Sequence, residues 1–274
     1  MIKINEKGQA VAPKTHFITD EVFKKIDHTE IRWLGNASIM INSHGTNIMI
    51  DPLLEGFDMP LLIDMPILPQ DIPTLDALLV THIDNDHFSR PTCHDVLNVC
   101  KSYHATKYVA EVMREENIPG IGHDIDESFM VNDVKVTLTK AVHNWQNESS
   151  KYNYREWKVE DYCGYWIDSQ DGTIWLPGDS KLIDEHLHMP NPDVILFDFA
   201  DNEWHITLEG AIKLANTYPN AQLICIHWGC VDAPDMSPFN GNPETLFDKV
   251  VNPERIQVLA PGEAFVLSSK KHYI

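Results

Sequence analysis

The sequence predicts a single α+β domain arranged as an αββα sandwich, with two mixed β-sheets flanked by helices. Three observations support this fold class: strand-like runs occur in both halves of the chain, helical segments are interleaved with them, and no change in composition marks a linker. Sheets and helices bury their apolar faces by stacking in layers, so this order of elements favours one layered domain over two independent ones. The 274 residues are enough to bury one large core.

The N-terminal part of the chain is predicted to be an extension followed by a β-meander. Residues 1–28 are polar and mixed, with a short helix expected around Asp20–Lys25, and the domain is expected to cover residues 29–274. Three β-rich runs separated by turn residues then predict antiparallel strands. These runs are Glu30–Leu34, Ser38–Asn42 and Thr46–Asp51. The apolar run Ala77–Thr81 predicts a strand that is buried on both faces.

The rest of the chain predicts strands and helices that alternate most clearly in the last third. The expected helices are Pro91–Cys100, Lys107–Glu116, Thr207–Thr217 and Pro243–Val250. The expected strands are Val134–Ala141, Tyr162–Ile167, Thr173–Leu176, Asp193–Phe199, Gln222–His227, Ile256–Leu259 and Ala264–Leu267. Thr207 is expected to cap its helix, because a threonine oxygen accepts a hydrogen bond from a free backbone N–H group of the first turn.

The composition limits the classes of function and the compartment. The chain carries 41 acidic and 21 basic residues, a formal net charge of −20, and an acidic surface repels phosphate backbones and anionic lipids. We therefore expect a small-molecule substrate and no nucleic-acid or membrane partner, while a homo-oligomer stays open. Five cysteines form no C-x-x-C pair, and their odd number argues against a disulfide framework. With no signal-peptide pattern and no long apolar run, a cytoplasmic protein is expected.

The segment His82–His87 places four potential metal ligands in six residues, directly after a predicted buried strand. Side chains alternate along an extended segment, so His82, Asp84 and Asp86 are expected to project the same way, with His87 joining from the next turn. The alternative, a polar surface loop with incidental histidines, is disfavoured by four such residues at this spacing. The segment therefore predicts a metal site at the end of a strand, where the scaffold fixes the ligand directions.

This segment, LLVTHIDNDHFS, resembles the signature of the metallo-β-lactamase superfamily, H-x-H-x-D-H after a hydrophobic strand. Later superfamily elements follow in order, with His143 in KAVHNW, Asp179 in WLPGDS and His227 in LICIHWG. The opening strands resemble those that precede the aspartate bracing the metal loop, here Asp51, for which an ordinary Asp-Pro turn is the alternative. Within the superfamily, GDS, the run Trp204–Thr207 and the closing PGEAF are most similar to the L-ascorbate-6-phosphate lactonase-like branch.

The resemblance implies two divalent metal ions (Mn, Fe or Zn). The matching positions assign the first metal to His82, Asp84 and His143. They assign the second to Asp86, His87 and His227, with Asp179 between the two. Asp84 departs from the family pattern, because a histidine is usual there, and the harder carboxylate favours Mn²⁺ or Fe over a purely Zn²⁺ site. Three occupancies stay open: two metals, one strong and one weak metal, or a single metal in the second set.

The resemblance also implies how the residues divide the chemistry. Two metals share a hydroxide that attacks an ester-like centre, while the metals stabilise the developing oxyanion. Asp86 is expected to be catalytic, as a ligand that also orients the attacking water. His205 is expected to bind a substrate oxyanion or protonate the leaving group, with a surface histidine near a helix start as the alternative. Trp204 and Asn36 are expected to contact the substrate.

Together these expectations predict a metal-dependent, lactonase-like hydrolase acting on a small anionic or sugar-derived molecule, of lactone or phosphate-ester type. One alternative is a phosphodiesterase that acts on a cyclic nucleotide or a phospholipid. A second is a di-iron redox protein, suggested by the carboxylate at Asp84. A third is a non-catalytic variant of the fold in which Asp84 marks decay of the site. These alternatives remain because a fold supports many functions and the site decides among them.

Overall fold

The computed structural model describes residues 1–267, in which strands outnumber helices. The strands of these residues are β1 (Lys3–Ile4), β2 (Ala10–Val11), β3 (Thr29–Gly35), β4 (Ser38–Ser43), β5 (Thr46–Ile50), β6 (Ala77–Val80), β7 (Tyr103–Thr106), β8 (Gly120–His123), β9 (Ser128–Val131), β10 (Val134–Lys140), β11 (Cys163–Asp168), β12 (Thr173–Leu176), β13 (Val194–Phe197), β14 (Gln222–Cys225), β15 (Ile256–Gln257) and β16 (Ala264–Leu267). The α-helices are α1 (Arg90–Asp95), α2 (Lys107–Glu115) and α3 (Leu208–Thr217). Short 3-10 helices lie at Asp20–Phe23, Pro69–Asp71, Trp145–Glu148, Ser150–Tyr152, Val159–Asp161, Asp184–Leu187, Ser237–Phe239, Pro243–Thr245 and Pro253–Arg255. None of the helices in the described range is long and apolar enough to cross a bilayer.

Each of the two large sheets joins an antiparallel meander to a parallel part. The N-terminal sheet has the order β16-β3-β4-β5-β6-β7-β8, antiparallel from β16 to β5 and parallel from β5 to β8. The C-terminal sheet has the order β15-β14-β13-β12-β11-β10-β9, antiparallel from β9 to β12 and parallel from β12 to β15. The ribbon β1–β2 pairs outside both sheets.

A shared apolar core holds the two sheets together. Ile31 of the N-terminal sheet and Leu138 of the C-terminal sheet are fully buried in one cluster. Leu214 of α3 belongs to the same cluster, whereas Val109 and Met113 of α2 pack in a second cluster against the N-terminal sheet. Burying one such side chain contributes roughly 1.5–3 kcal/mol. Helices, two sheets and helices therefore form successive layers, as the sequence predicts.

Most of the predicted elements are present. The predicted αββα sandwich with mixed sheets is confirmed, and the expected meander corresponds to β3, β4 and β5. The apolar run after the meander is β6, which is buried along its whole length. The expected alternation in the last third is present as β13, α3, β14, β15 and β16. The Oγ1 of Thr207 accepts a hydrogen bond from the backbone N–H of Gly210 at 3.2 Å, so the expected helix cap is also present.

Two predicted helices are wrong in extent. The segment Pro243–Val250 contains only the 3-10 turn Pro243–Thr245, because so short a segment gains too few hydrogen bonds to offset helix nucleation. Helix α1 ends at Asp95, and the chain then turns so that Cys100 forms a bridge with Leu75. The sequence pattern also fails to predict β8 and β9, which lie at sheet edges, where strands are short and weakly patterned.

The N-terminal segment, residues 1–28, lies against the rest of the fold. The backbone N–H of Ala12 donates to the carbonyl of Gly229 at 2.9 Å, and that of His16 donates to Pro261 at 2.8 Å. The 3-10 helix Asp20–Phe23 stands where the sequence predicts a short helix. The contact at Gly229 brings this segment next to the end of β14.

Candidate metal centre

A buried cluster of polar side chains lies at the ends of six strands from the two sheets. Each of these side chains comes within three residues after its strand. The strands and residues are β5 with Asp51, β6 with His82, β10 with His143, β12 with Asp179, β13 with Asp198 and β14 with His227. The loop after β6 adds Asp84, Asp86 and His87. Sites form at the carboxyl ends of strands because the rigid strands fix the loops that follow them. The topology thus gathers these side chains from both sheets.

The first ligand set consists of His82, Asp84 and His143. The Oδ2 of Asp84 lies 3.3 Å from the Nε2 of His82 and 3.5 Å from the Nε2 of His143. Ligand atoms that lie about 2.0–2.1 Å from a tetrahedral ion are roughly 3.3 Å apart. The carboxylate of Asp84 lies close enough to both imidazoles for the three side chains to bind one ion. The set therefore has the spacing of a metal site.

The second ligand set consists of Asp86, His87 and His227, with Asp179 beside it. The Nε2 of His87 lies 3.1 Å from the Oδ2 of Asp179 and 3.5 Å from that of Asp86. The Nε2 of His227 lies 3.5 Å and 3.4 Å from the same two oxygens. Asp179 also forms a group with His82 of the first set, so it lies between the two sets.

The imidazoles turn one nitrogen to the protein and the other to the interior of the site. The Nδ1 of His87 donates to the Oδ2 of Asp51 at 2.8 Å, and that of His143 donates to the carbonyl of Trp204 at 2.8 Å. Three buried Nε2 atoms make no hydrogen bond to any residue among 1–267: those of His82, His87 and His227. Buried polar atoms without partners are costly, and metal-binding histidines donate their other N–H to the protein. The residues therefore fit divalent cations.

Asp51 supports the loop that carries the ligands. Its Oδ1 accepts from the backbone N–H of Thr81 at 2.8 Å, and its Oδ2 accepts from the Thr81 hydroxyl at 2.6 Å as well as from His87. Asp51 and His227 have φ angles of 46° and 59°, in the left-handed region that residues other than glycine rarely adopt. Such strained positions concentrate at functional sites, where the surrounding structure enforces them.

Asn36 lies behind the site and not at the substrate cavity. It is 3% exposed, and its Nδ2 approaches the backbone carbonyl and the Oδ2 of Asp86 at 3.3 and 3.4 Å. Its own carbonyl accepts from the backbone N–H of His227 at 2.8 Å. This position corrects the expectation of a substrate contact: the turn after β3 points the amide at a ligand, so Asn36 supports Asp86.

Carboxylates dominate the electrostatics of the second set. Burial disfavours the ionised form of Asp86, but the neighbouring His87 and His227 outweigh it and lower the pKa of Asp86 to about 2. Burial disfavours a protonated His227, yet Asp179 and Asp86 raise its pKa to about 9. Burial also disfavours a protonated His87. The pKa of His87 is nevertheless raised well above its ordinary value by the carboxylates of Asp179, Asp86 and Asp51. This surplus of negative charge attracts a cation.

A cavity of about 320 Å³ opens onto both ligand sets. Its floor includes the ligands Asp84, Asp86, His143, Asp179 and His227. Its wall is largely aromatic and apolar: Phe57, Met59, Trp145, Tyr152, Trp204 and Phe239. Lys151 adds a positive charge to this lining. Trp204 thus lies where the sequence predicts a substrate contact, whereas Trp228 is buried in the core and stacks on Trp33, with ring centroids 5.8 Å apart.

His205 lines the same cavity and is held from behind by a carboxylate. Its Nδ1 donates to the Oδ2 of Asp198 at 2.6 Å, and its Nε2 lies 3.7 Å from the Oδ2 of Asp179. The residue is 4% exposed, which contradicts the alternative of a surface histidine. A carboxylate that holds one ring nitrogen fixes the orientation of the imidazole, as in hydrolytic His–Asp pairs.

Three side chains of the site are not singled out by the sequence: Gln146, Tyr162 and Asp198. Asp198 directly follows the apolar strand β13, so the signal that identifies the ligands after β6 and β12 was available for it too. Gln146 donates a hydrogen bond to Asp84, and Tyr162 donates one to Gln146. Nothing in their local sequence indicates this, because the contact depends on how the loop after β10 crosses the loop after β6.

Comparison with known proteins identifies the family. The family profile described as the Beta-lactamase superfamily domain matches residues 46–228. A metal-dependent hydrolase of Sulfurisphaera tokodaii is 25% identical over 87% of this chain and 99% of its own length. The N-acyl-phosphatidylethanolamine-hydrolyzing phospholipase D 1 of Caenorhabditis elegans is 22% identical over 78% of this chain and 67% of its own length. Among solved structures, the isothiocyanate hydrolase from Delia radicum gut bacteria has a TM-score of 0.70 at 17% identity, over 88% of this chain and all of that one.

Proposed function

This chain belongs to the metallo-β-lactamase superfamily and is a metal-dependent hydrolase, and from this premise we propose that it hydrolyses a small lactone or phosphate ester in the cavity above the two ligand sets. The observation that carries the proposal is the pairing of two adjacent histidine–carboxylate sets, in which the Nε2 atoms of His82, His87 and His227 make no hydrogen bond, with one cavity that reaches both sets. A site of this kind suits the hydrolysis of an ester-like bond.

The residues that would hold the metals are the two sets joined by Asp179. Divalent ions bound there would supply Lewis acidity and lower the pKa of a water molecule. The side chain of Asp86 lines the cavity and stays ionised, so it would accept a hydrogen bond from the attacking water and orient it. The pair His205–Asp198 supports an N–H that faces the position of a developing negative charge or of a leaving group.

The cavity lining indicates a small substrate with an apolar part. A volume of about 320 Å³ lies at the lower end of the range for small-molecule sites, about 300–1,000 Å³. The aromatic wall suits an apolar or sugar-ring face, and the ammonium of Lys151 suits one anionic group. These features favour a compact, singly anionic lactone or phosphate ester over a polymer.

A phosphodiesterase acting on a cyclic nucleotide or a phospholipid is the second candidate. The similarity to the nematode phospholipase D supports it, as does the apolar side of the cavity at Phe57, Met236 and Phe239. Met236 is 44% exposed, so this side continues to the surface, where an acyl chain has room to extend.

The test is a hydrolysis screen of the protein loaded separately with Mn²⁺, Fe²⁺ and Zn²⁺. The panel contains sugar and aliphatic lactones, phosphate monoesters, cyclic nucleotides and phospholipids. We expect turnover of a lactone or phosphate monoester that is lost on chelation, restored by metal and lost in Asp86→Asn. Asp248→Asn is the matched control, since its side chain is 79% exposed. Hydrolysis that survives complete metal removal, or a metal-loaded protein that cleaves nothing in the panel, contradicts the proposal.

A further inference from the structure

The carboxylate that replaces the usual histidine is bound by two neutral N–H groups. The Nε1 of Trp145 donates to the Oδ2 of Asp84 at 2.8 Å, and the Nε2 of Gln146 donates to its Oδ1 at 2.8 Å. Asp84 is 8% exposed and Gln146 is fully buried, so water does not compete for these bonds. Both donors come from the 3-10 helix Trp145–Glu148, which begins two residues after the ligand His143.

A third residue fixes the direction of the Gln146 amide. The hydroxyl of Tyr162 donates to the Oε1 of Gln146 at 2.6 Å, so the amide nitrogen faces Asp84. This assignment agrees with the chemistry, because an ionised carboxylate accepts hydrogen bonds and cannot donate. The Tyr162 ring also lies against the imidazoles of His82 and His143, with centroids 6.0 and 6.1 Å away. The network therefore spans the whole first set.

These bonds leave Asp84 with one free direction. Gln146 occupies Oδ1, and Trp145 occupies one side of Oδ2, whose other side faces the two imidazole nitrogens at 3.3 and 3.5 Å. A carboxylate held this way contributes a single oxygen to a metal. Because neutral donors carry no full charge, it also keeps its negative charge, which hard cations prefer.

We propose that Trp145, Gln146 and Tyr162 are positioning residues that hold Asp84 as a one-oxygen ligand and so make the first set prefer Mn²⁺ or Fe²⁺ over Zn²⁺. This inference rests on the metal-dependent function proposed above and adds to it the residues that determine metal selectivity. Removing an outer hydrogen-bond partner of a metal ligand weakens metal binding about 10–100-fold. The same loss is expected here, confined to the first set.

The experiment measures metal binding and not turnover. Metal-free protein is dialysed against buffered Mn²⁺ or Zn²⁺, and bound metal is counted by elemental analysis for wild type, Trp145→Phe, Gln146→Met and Tyr162→Phe. The matched control is Trp166→Phe, which removes an equivalent bond, Trp166 Nε1 to Asp168 Oδ1 at 2.8 Å, from another part of the C-terminal sheet. Circular dichroism of each metal-free variant checks its fold.

For Trp145→Phe and Gln146→Met we expect one Mn²⁺ equivalent to bind about 10–100-fold more weakly, the other to be unchanged and the Mn²⁺/Zn²⁺ preference to fall. Tyr162→Phe should show a smaller loss of the same kind, and Trp166→Phe none. Should Gln146→Met fail to fold, Trp145→Phe decides, since Trp145 is partly exposed.

An unchanged preference in Trp145→Phe overturns the inference, and so does an equal weakening of both equivalents or a wild type that binds one metal only. If the wild type binds two metals but hydrolyses nothing in the panel, the result contradicts the proposed function and leaves the inference on metal selectivity intact. In that case the binding measurements still decide this inference.

Discussion

The two ligand sets lie side by side but differ in what supports their ligands. In the second set a buried carboxylate, Asp51, backs His87, whereas in the first set the hydroxyl of Thr81 lies 3.0 Å from the Nδ1 of His82. The pKa of His87 is raised well above its ordinary value, because nearby carboxylates outweigh burial. Burial and the charge of His87 lower the pKa of His82. Three carboxylates, those of Asp51, Asp86 and Asp179, lie within 3.5 Å of the His87 ring nitrogens, whereas the ion-pair contact of His82 is with Asp84, so we expect the second set to hold its metal more tightly.

The different supports of His87 and His82 indicate that one scaffold can give two adjacent metal sites different properties. A carboxylate behind a histidine raises the basicity of the ligand and strengthens its metal bond. Asp84, in contrast, is a ligand that is itself held by Trp145 and Gln146. We therefore expect the second set to provide the tighter metal binding and the first set the metal selectivity, and the mutations below test this division.

The largest effect is expected from removing a ligand of the second set. His87→Ala leaves Asp51, Asp86 and Asp179 without the imidazole they share, so we expect kcat/KM to fall by at least about 1,000-fold, or about 4 kcal/mol of transition-state stabilisation. Elemental analysis should show the loss of the tightly bound equivalent. The exposed His94→Ala is the control. If His87→Ala retains its tight metal, the second set is not the stronger one.

Removing the support of the second set should have the next largest effect. Asp51→Asn keeps the size of the side chain but takes away the charge behind His87. We expect the tight metal to bind about 10–100-fold more weakly, with the weaker metal unchanged. Competition with a fluorescent chelator measures both constants. Equal weakening of both metals would show that Asp51 acts on the whole loop through Thr81 and not on one set.

Restoring the usual histidine tests the first set. In Asp84→His an imidazole replaces the carboxylate, and imidazole suits Zn²⁺. We expect the preference of this set to shift about tenfold towards Zn²⁺ while the Mn²⁺-supported rate falls, as for a site adapted to a carboxylate. Metal counts and initial rates with each ion provide the measurement. A gain in Zn²⁺-dependent activity above that of the wild type would instead indicate that Asp84 marks a decayed site.

The same contrast separates what the sequence predicts from what it does not. Residue type and spacing predict His82, which follows the apolar run of β6, whereas His227 is predicted from the resemblance of its segment to the later elements of the superfamily. No local sequence pattern marks the residues that hydrogen-bond to the candidate ligands from distant loops. Gln146 reaches Asp84 only because two loops cross, and Asn36 bonds to Asp86 instead of a substrate.

The smallest effect is expected from a change at Asp198, which lies behind His205 and supports neither ligand set. Asp198→Asn keeps a hydrogen-bond acceptor for the Nδ1 of His205 but removes the negative charge beside the imidazole. His205 lies 3.7 Å from an oxygen of Asp179 and could join residues of either set at a metal, but we assign it to neither, so both metals should bind as in the wild type. We expect kcat to fall about 3–10-fold with KM nearly unchanged, since the lost interaction is one that strengthens in the transition state. Steady-state kinetics and metal counts on the same preparations test this prediction. A loss of metal in Asp198→Asn would contradict it and indicate that His205 is a metal ligand that joins the two sets into one site.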